Sequence, residues 1–346
     1  MTVAAATPSL SPRQRAWRRF RRNRRGYVSL WIFSILFGLS LFAEVLCNDE
    51  PIVVHYEDEL YFPLFLTYPE TAFGGVFETA PDYASPFMQQ RLNADGNWAI
   101  FPPVPHGFDT IAYHTESSFP APPSGDHILG TDDRGRDILA RLVYGFRLSV
   151  VFALALTAVA TGIGVVLGAL QGYWGGRFDL LFQRFTEVWN ALPELYLLII
   201  FASIFKPSIW LLLILLALFG WMGMSDYVRA EFLRARNMEY VTAARALGVG
   251  DAAIMGRHLL PNGMTPVITF LPFRISGAVI ALTSLDFLGL GVPPSTPSLG
   301  ELLAQGKENL DAWWISLSTF GVLVGMLMLL IFIGEGLRAA NDRRAG

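Results

Sequence analysis

The feature that most limits the possible folds of this chain is the run 148–170, which contains no charged side chain. About 20 consecutive apolar residues allow an α-helix to cross the hydrocarbon core of a bilayer. Charged residues make up 16% of the whole chain, whereas a soluble domain carries roughly 25%. We therefore expect an all-α protein that crosses a membrane several times.

Six apolar segments are interpreted as membrane spans. They are 27–47, 148–170, 188–205, 209–224, 266–290 and 313–333. The third and fourth are short, and Lys206–Pro207 separates them. Short spans are acceptable where helices line a cavity rather than lipid.

Arginine indicates which side of the membrane each terminus occupies. The tail 1–26 contains eight arginines and leads directly into the first span. We therefore interpret the run 18–25 as a topological signal and not as a nucleic-acid site. Arginines also occur in and around the polar stretch after the fourth span, and in the tail 335–346. Both termini and that stretch are expected in the cytoplasm.

The region 48–146 has a different character, because it holds 11 of the chain's 21 prolines and no spanning run. Strand-like pieces at Pro51–Tyr56 and Glu59–Leu66 predict a lobe of mixed or β character. The topology places this lobe on the outer, periplasmic face. Two roles are open for it: a cap that packs over neighbouring loops, and a docking surface for a partner.

The lobe is predicted to end in an amphipathic segment at the membrane interface. From residue 137 onward apolar residues fall on one helical face, which leaves Arg136, Arg141 and Arg147 for the polar face or the headgroups. The acidic cluster within 132–137 lacks the ligand spacing of an EF-hand, so we expect no metal there.

A polar stretch, 237–261, separates the fourth span from the fifth, and we call it the knuckle. We predict a helix over Asn237–Leu247 and then a left-handed turn at Gly248. A second helix is predicted over Ala252–Leu260, capped by Asp251 and ended by Pro261. An ordinary connecting loop is the simpler interpretation, but the helix–Gly–helix spacing favours a functional segment.

The sequence contains none of the common catalytic motifs. A P-loop needs Gly-Lys-Ser/Thr, and the only two lysines, Lys206 and Lys307, precede Pro and Glu. Histidines at 55, 106, 114, 127 and 258 are scattered and predict no metal cluster. We therefore expect neither an enzyme nor a bound cofactor. The single Cys47 permits no internal disulfide.

The knuckle resembles the cytoplasmic coupling loop of ABC-importer permeases: Glu-Ala-Ala, three residues, Gly, nine residues, an apolar residue, any residue, Leu-Pro. The residues in register are Ala243, Ala244, Gly248, Leu260 and Pro261. Thr242 replaces the usual Glu, and His258 replaces an aliphatic residue. In that family the loop docks into a groove on an ATPase subunit, so the resemblance implies that another chain binds and hydrolyses ATP. The implied coupling residues are Glu239, Thr242, Ala243, Ala244, Arg245, Leu247, Gly248, His258 and Pro261.

The segment 127–147 resembles the signature before the second span of C-type permeases of the dipeptide, oligopeptide and nickel group. The matching residues are His127, Gly130, Thr131, Asp132, Gly135, Arg136, Asp137, Arg141, Gly145 and Arg147. The chain is most similar to the E-type permeases of Yej importers in its long lobe, in Asp286 within the run SLDFLG, and in the opening segment 10–33. Those importers take up oligopeptides and the peptide antibiotic microcin C. The resemblance implies an inner-membrane permease with a second homologous permease, ATP-binding subunits and a periplasmic peptide-binding protein as partners.

Ionisable residues in or beside the spans are candidates for a translocation path or for pairing inside the membrane. They are Glu187, Glu194, Arg274 and Asp286. Because charge in a bilayer is costly, we expect Arg274 to pair with Glu187 or Glu194, unless it reaches the headgroups. Asp286 either lines the path and meets a peptide amino group, or hydrogen-bonds the neighbouring loop.

Other functions remain open at this point. Within the family, the substrate could be a dipeptide, nickel or another small solute. Outside it, the intramembrane charges leave room for an ion-coupled secondary transporter, although no inverted repeat is visible. A membrane-anchored receptor with the lobe as its working part is a further alternative.

Overall fold

A computed structural model describes residues 12–94, 96–112 and 118–341. The outer parts of both predicted tails, 1–11 and 342–346, and His114 lie outside the described residues. The chain divides into two units. The first contains 1–34, 150–282 and 325–346, and the second contains 35–149 and 283–324.

The described chain is predominantly helical, with helices in both units. In chain order they are α1 (Pro12–Arg22), α2 (Arg24–Leu41), α3 (Ala43–Leu46), α4 (Pro86–Leu92), α5 (Ile138–Trp174), α6 (Gly176–Asn190), α7 (Glu194–Ile204), α8 (Ile209–Gly220), α9 (Met222–Ala235), α10 (Glu239–Ala246), α11 (Asp251–Ala253), α12 (Leu260–Phe287), α13 (Leu299–Glu308) and α14 (Trp313–Asn341). A π-helical segment, Ile254–Leu259, lies between α11 and α12.

The second unit contains a small antiparallel sheet, of which two strands lie within the predicted pieces and the third lies outside them. β1 (Val53–Tyr56) lies between β2 (Glu59–Tyr61) and β3 (Trp98–Ile100). Glu57 and Asp58 have φ angles of 49° and 65°, which fits a two-residue hairpin turn of the I′ type. The buried faces of β1, α4 and the intervening loops form a hydrophobic core; its buried members are Val54, Tyr56, Phe73, Tyr83, Met88 and Leu92.

Four helical segments of the described chain are long and apolar enough to cross a membrane. They are Ile138–Trp174, Ile209–Ala235, Asp251–Phe287 and Trp313–Asn341. The pair α6 and α7, bent by 62°, makes a fifth if it is one span. The predicted first span, 27–47, is divided between α2 and α3 and does not meet the same criterion on its own. The structure therefore gives four to five candidate spans where the sequence predicts six.

The helices differ from the predicted spans mainly in length. α5 begins at Ile138, so the predicted amphipathic segment after residue 137 forms the first turns of the same long helix. The fourth predicted span, 209–224, continues through α9 to Ala235. Helices of these lengths exceed the thickness of the hydrocarbon core at 1.5 Å per residue, so their ends extend beyond it.

Glycines on one face of α5 allow α9 to approach closely. Cβ atoms added at Gly164, Gly168 and Gly172 would meet the backbone or side chains of α9 and of Trp221 just before it within 3.0 Å. Small residues at such spacing are typical of tightly packed membrane helices. Gly162, on the same helix, faces open space instead.

Replacing Gly168 by leucine is expected to destabilise the first unit by about 3 kcal/mol, the upper end of the range for overpacking. A Cβ atom there would lie 3.0 Å from Ser225 Cα and from Val228 Cβ, and α9 cannot yield without moving its backbone. The measurement is the midpoint of thermal unfolding in mild detergent. Gly162→Leu is the matched control on the same helix, and an equal fall in both variants would contradict the packing assigned to Gly168.

Candidate functional site

The knuckle belongs to the first unit and contains a helix, a turn and a second helix. α10 spans Glu239–Ala246, and Gly248 adopts the predicted left-handed conformation with φ of +77°. The predicted cap is wrong, because Gly250 is the N-cap of α11 and Asp251 is its first residue. The side chain of Asp251 accepts a hydrogen bond from Tyr173 instead.

The second helix of the knuckle does not end at Pro261, so that prediction is also wrong. Ile254–Leu259 is π-helical and leads directly into α12, with Pro261 as its second residue. The ring of proline normally clashes with the carbonyl group four residues earlier. A π-helical turn widens the backbone just before the ring, which allows the helix to continue.

One face of the knuckle is packed into the core of the first unit. Val241, Ala244, Ile254 and Leu259 are buried against a set of residues from α5, α9 and α12. That set consists of Tyr173, Met224, Val228, Phe232 and Val267. Of the predicted coupling residues, Ala244 therefore contributes to the core, and His258 is half-buried.

The opposite face of the knuckle is exposed. It carries most of the predicted coupling residues: Glu239, Thr242, Ala243, Arg245, Leu247, Gly248 and Pro261. The side chain of Leu247 is 83% exposed, the highest value among the large hydrophobic residues that the structure describes. The knuckle therefore presents an exposed apolar side chain on one face, while its other face is packed against the helices of the first unit.

A polar contact joins the knuckle to α5. The Tyr173 hydroxyl donates to Asp251, and the Arg245 guanidinium lies 5.1 Å from the centre of the Tyr173 ring. Arg245 was predicted only as a docking residue, but it also makes this cation–π contact, which is worth about 0.5–1 kcal/mol at an exposed site. The sequence gives no direct signal for Tyr173, because it lies 78 residues before Asp251.

The predicted ion pair of Arg274 with Glu187 or Glu194 is not formed. Glu187 is exposed and pairs with Arg184 at 2.5 Å. Arg274 donates to the carbonyl oxygen of Gly220 and makes no ion pair with the described residues. Glu194 and Arg274 nevertheless line the same cavity, of about 290 Å³, inside the first unit.

Asp286 lies in the second unit and holds the loop after α12. Its side chain is buried, accepts from the Ser298 hydroxyl, and accepts from the backbone N–H of Val292 at 2.9 Å. Ser298 in turn caps α13 by accepting from the N–H groups of Gly300 and Glu301. These contacts correspond to the second interpretation of Asp286, a hydrogen bond to the neighbouring loop.

Arg136 and Arg141 are buried in the second unit, which contradicts their predicted exposure on the polar face or among the headgroups. Arg136 binds Asp132 at 2.6 Å and Glu301 at 3.3 Å. Arg141 is fully buried, contacts Asp132 at 3.5 Å, and forms a second ion pair with Glu301. Two cations and two carboxylates therefore form a balanced cluster. Arg147 is partly exposed and pairs with Glu44 at 2.9 Å.

Two of the scattered histidines come together, although the sequence predicts no clustering. His106, His127 and Asp137 place one possible ligand atom each within 4.8 Å of one another. The two imidazole rings are stacked, with centroids 4.3 Å apart, so their in-plane lone pairs do not converge. His127 Nδ1 instead lies 2.9 Å from Asp137 Oδ2, which is the geometry of a buried hydrogen bond.

Comparison with known proteins gives matches along the whole chain. Residues 164–346 match the family described as the binding-protein-dependent transport system inner membrane component. Residues 11–63 match the N-terminal transmembrane domain of oligopeptide transport permease C.

Individual relatives agree with these matches. The inner membrane ABC transporter permease protein YejE of Escherichia coli is 51% identical, over 96% of this chain and 98% of that protein. The peptidoglycan transport system permease protein YejE of Agrobacterium fabrum is 49% identical, over 99% of this chain and 96% of that protein. The oligopeptide transport system permease protein OppC of Lactococcus lactis subsp. lactis is 37% identical, over 65% of this chain and 78% of that protein.

These matches and the apolar helices indicate that the chain is a multi-pass protein of the inner membrane. The matched family is a transport component and not a catalytic subunit. The chain therefore belongs to the family of inner membrane permease components of binding-protein-dependent transport systems.

Proposed function

We propose that this chain is the permease subunit of an ABC importer that moves peptides across the inner membrane. Its partners are a second homologous permease, ATP-hydrolysing subunits and a periplasmic peptide-binding protein. The name of the OppC relative supports peptides as the substrate class. Because the sequence has no P-loop, a partner must bind and hydrolyse ATP.

The observation that carries this proposal is the exposed apolar tip of the knuckle. Leu247 is 83% exposed beside the left-handed Gly248, while the other face of the knuckle is packed into the core. Fully burying a leucine side chain gains about 1.5–3 kcal/mol. A groove on an ATPase subunit would bury this side chain, and the exposed Arg245 and Arg257 would supply positive charge around it.

The packing of the knuckle explains how movement of an ATPase would reach the helices. Val241, Ile254 and Leu259 are buried against α5, α9 and α12, and Tyr173 adds the polar link to Asp251. A displacement of the knuckle therefore moves several helices together. Alternating access requires two such arrangements whose populations the bound nucleotide shifts.

The proposed topology has six spans with both termini in the cytoplasm. α2 with α3 forms the first span, the bent pair α6–α7 forms the third, and the four long helical segments form the others. A break between α6 and α7 is tolerated where helices line a cavity. The basic residues on the cytoplasmic side of the core would be Arg229, Arg234, Arg236, Arg245 and Arg257, which satisfies the positive-inside rule.

Replacing Tyr173 by phenylalanine is expected to lower the number of peptides imported per ATP hydrolysed, while the ATPase still binds. The change removes only the hydroxyl that donates to Asp251, a loss of about 1 kcal/mol. Both rates are measured on the reconstituted complex. Tyr240→Phe, at an exposed position on α10, is the control, and unchanged coupling in Tyr173→Phe would remove this link from the mechanism.

The proposed function is tested by peptide uptake into cells that lack the gene for this chain and into the same cells after complementation. We expect uptake that requires this chain, stops when ATP is depleted, and continues when the proton gradient is collapsed at constant ATP. Uptake that instead follows the ion gradient would favour a secondary transporter. ATP-dependent uptake of nickel or another small solute without peptides would keep the family and change the substrate.

A further inference from the structure

The cavity between α5, α7, α8 and α12 of the first unit contains opposite charges that do not neutralise each other. Glu194 enters it from the start of α7, and Arg274 enters it from α12. The described part of the chain gives neither side chain an ion-pair partner. Unpaired charge at membrane depth is expensive and marks ion or substrate pathways, so this arrangement calls for an explanation beyond packing.

The hydrogen-bonding capacity of Arg274 is largely unused. Its guanidinium has five N–H donors, and its hydrogen bond within the described chain goes to the Gly220 carbonyl. Arg274 Nε is buried without a hydrogen-bond partner, and so is the hydroxyl of Thr157 on the same cavity wall. A buried donor without an acceptor costs about 1–3 kcal/mol. An anion with several acceptor oxygens would supply the acceptors that these two residues lack.

A carboxylate fits these donors best. An arginine side chain can bind both oxygens of a carboxylate through its planar fork, and the Thr157 hydroxyl can donate to the same group. Glu194 provides the opposite charge for an ammonium group. The rest of the wall is apolar or small, as in Leu156, Phe219 and Gly277, and leaves space for varied side chains.

The volume limits how much of a substrate the cavity holds. At about 290 Å³ it lies at the lower end of the roughly 300–1,000 Å³ of ligand pockets. This is space for a short peptide or for one end of a longer one. We propose that the cavity is a substrate-contact site for peptides, in which Arg274 and Thr157 bind a peptide carboxylate and Glu194 binds a peptide ammonium group. The inference rests on the proposed function and assigns particular residues to it.

Crossed changes in peptide and protein test the assignment. A short peptide is offered free, with its C terminus amidated, or with its N terminus acetylated, to the wild type and to the variants Arg274→Gln and Glu194→Gln. Arg274→Gln should reduce uptake of the free and acetylated peptides by about tenfold, the effect of about 1.4 kcal/mol, with less than a twofold change for the amidated one. Glu194→Gln should reduce uptake of the free and amidated peptides but spare the acetylated one.

The binding protein is the same in every measurement, so dividing each rate by the wild-type rate cancels its own preference for a terminus. Glu187→Gln is the matched control, because Glu187 is exposed, paired with Arg184, and outside the cavity. A loss that is the same for all three peptides would overturn the inference and indicate a structural role. Absence of ATP-dependent peptide uptake by the wild type would instead overturn the proposed function.

A labelling experiment gives a second test that does not require transport. A Cβ atom at Gly277 meets nothing within 4 Å, so Gly277→Cys places a thiol on the cavity wall. Cys47, the only native cysteine, is replaced by serine in the full complex. We expect the free peptide to slow the reaction of this thiol with a small reagent, and Arg274→Gln to abolish that protection. Equal protection with and without Arg274 would contradict its role.

Discussion

Replacing Arg141 by methionine is expected to lower the stability of the second unit by about 3–5 kcal/mol, the cost of removing one partner from a buried ion pair. Arg141 is fully buried between Asp132 and Glu301, and it also donates to the Phe108 carbonyl oxygen at 3.1 Å. Methionine fills much of the space but leaves the two carboxylates facing only Arg136. The midpoint of thermal unfolding in detergent should fall by about 10 °C.

Two further variants separate the loss of charge balance from a general loss of packing. Arg134→Ala is the control, because its side chain is half exposed and its contact with Asp133 is 3.8 Å; we expect a change within about 0.5 kcal/mol. The double variant Arg141→Met with Glu301→Gln restores the balance between Asp132 and Arg136. It should be more stable than Arg141→Met alone, and strictly additive effects would contradict the electrostatic explanation.

Replacing Leu247 by aspartate is expected to reduce transport strongly without affecting the fold of the chain. The side chain is already 83% exposed, so the change costs the isolated subunit little. In the proposed complex it would place a charge in an apolar groove, and central interface residues contribute about 2 kcal/mol or more. ATP-dependent uptake should fall at least about tenfold, together with the amount of ATPase that co-purifies.

Leu310 provides the comparison for this variant. It is 81% exposed and lies outside the knuckle, so Leu310→Asp adds the same charge at an equally exposed leucine. We expect near-normal uptake and normal ATPase content for it. Retention of the ATPase by Leu247→Asp would show that the tip of the knuckle is not the docking surface.

The sequence predicts best those features that depend on neighbouring residues. The left-handed conformation of Gly248 follows from its position after a run of good helix formers, and the structure confirms it. The break between the third and fourth predicted spans follows from Lys206–Pro207, and α7 and α8 end and begin on either side of it. Local pattern alone is enough in both cases.

Several errors arise where a distant residue decides the outcome. Arg136 and Arg141 fit an amphipathic surface pattern, but Glu301, 160 residues away from Arg141, forms ion pairs with both of them in a buried cluster. Asp251 has the sequence position of a helix cap, yet its side chain accepts a hydrogen bond from Tyr173 instead. His106 and His127 are stacked although nothing in their spacing predicts it.

The intramembrane charges show a mixed result. The sequence predicts that Arg274 pairs with Glu187 or Glu194, and the structure places Arg274 and Glu194 on the wall of one cavity. Residues that line the same cavity need not touch, and the carbonyl oxygen of Gly220 accepts the hydrogen bond from Arg274. The ion pair predicted from the sequence is therefore absent, and Glu194 and Arg274 line the cavity without pairing.

The central claim, that the knuckle docks this chain onto ATPase subunits, is tested most directly by purification. The full-length chain is isolated from membranes in mild detergent, and every stoichiometric partner is identified by mass. We predict a second homologous permease and ATP-hydrolysing subunits with the wild type, and loss of the ATPase but not of the second permease with Leu247→Asp. Recovery of this chain alone, or only as a homo-oligomer, would contradict the claim.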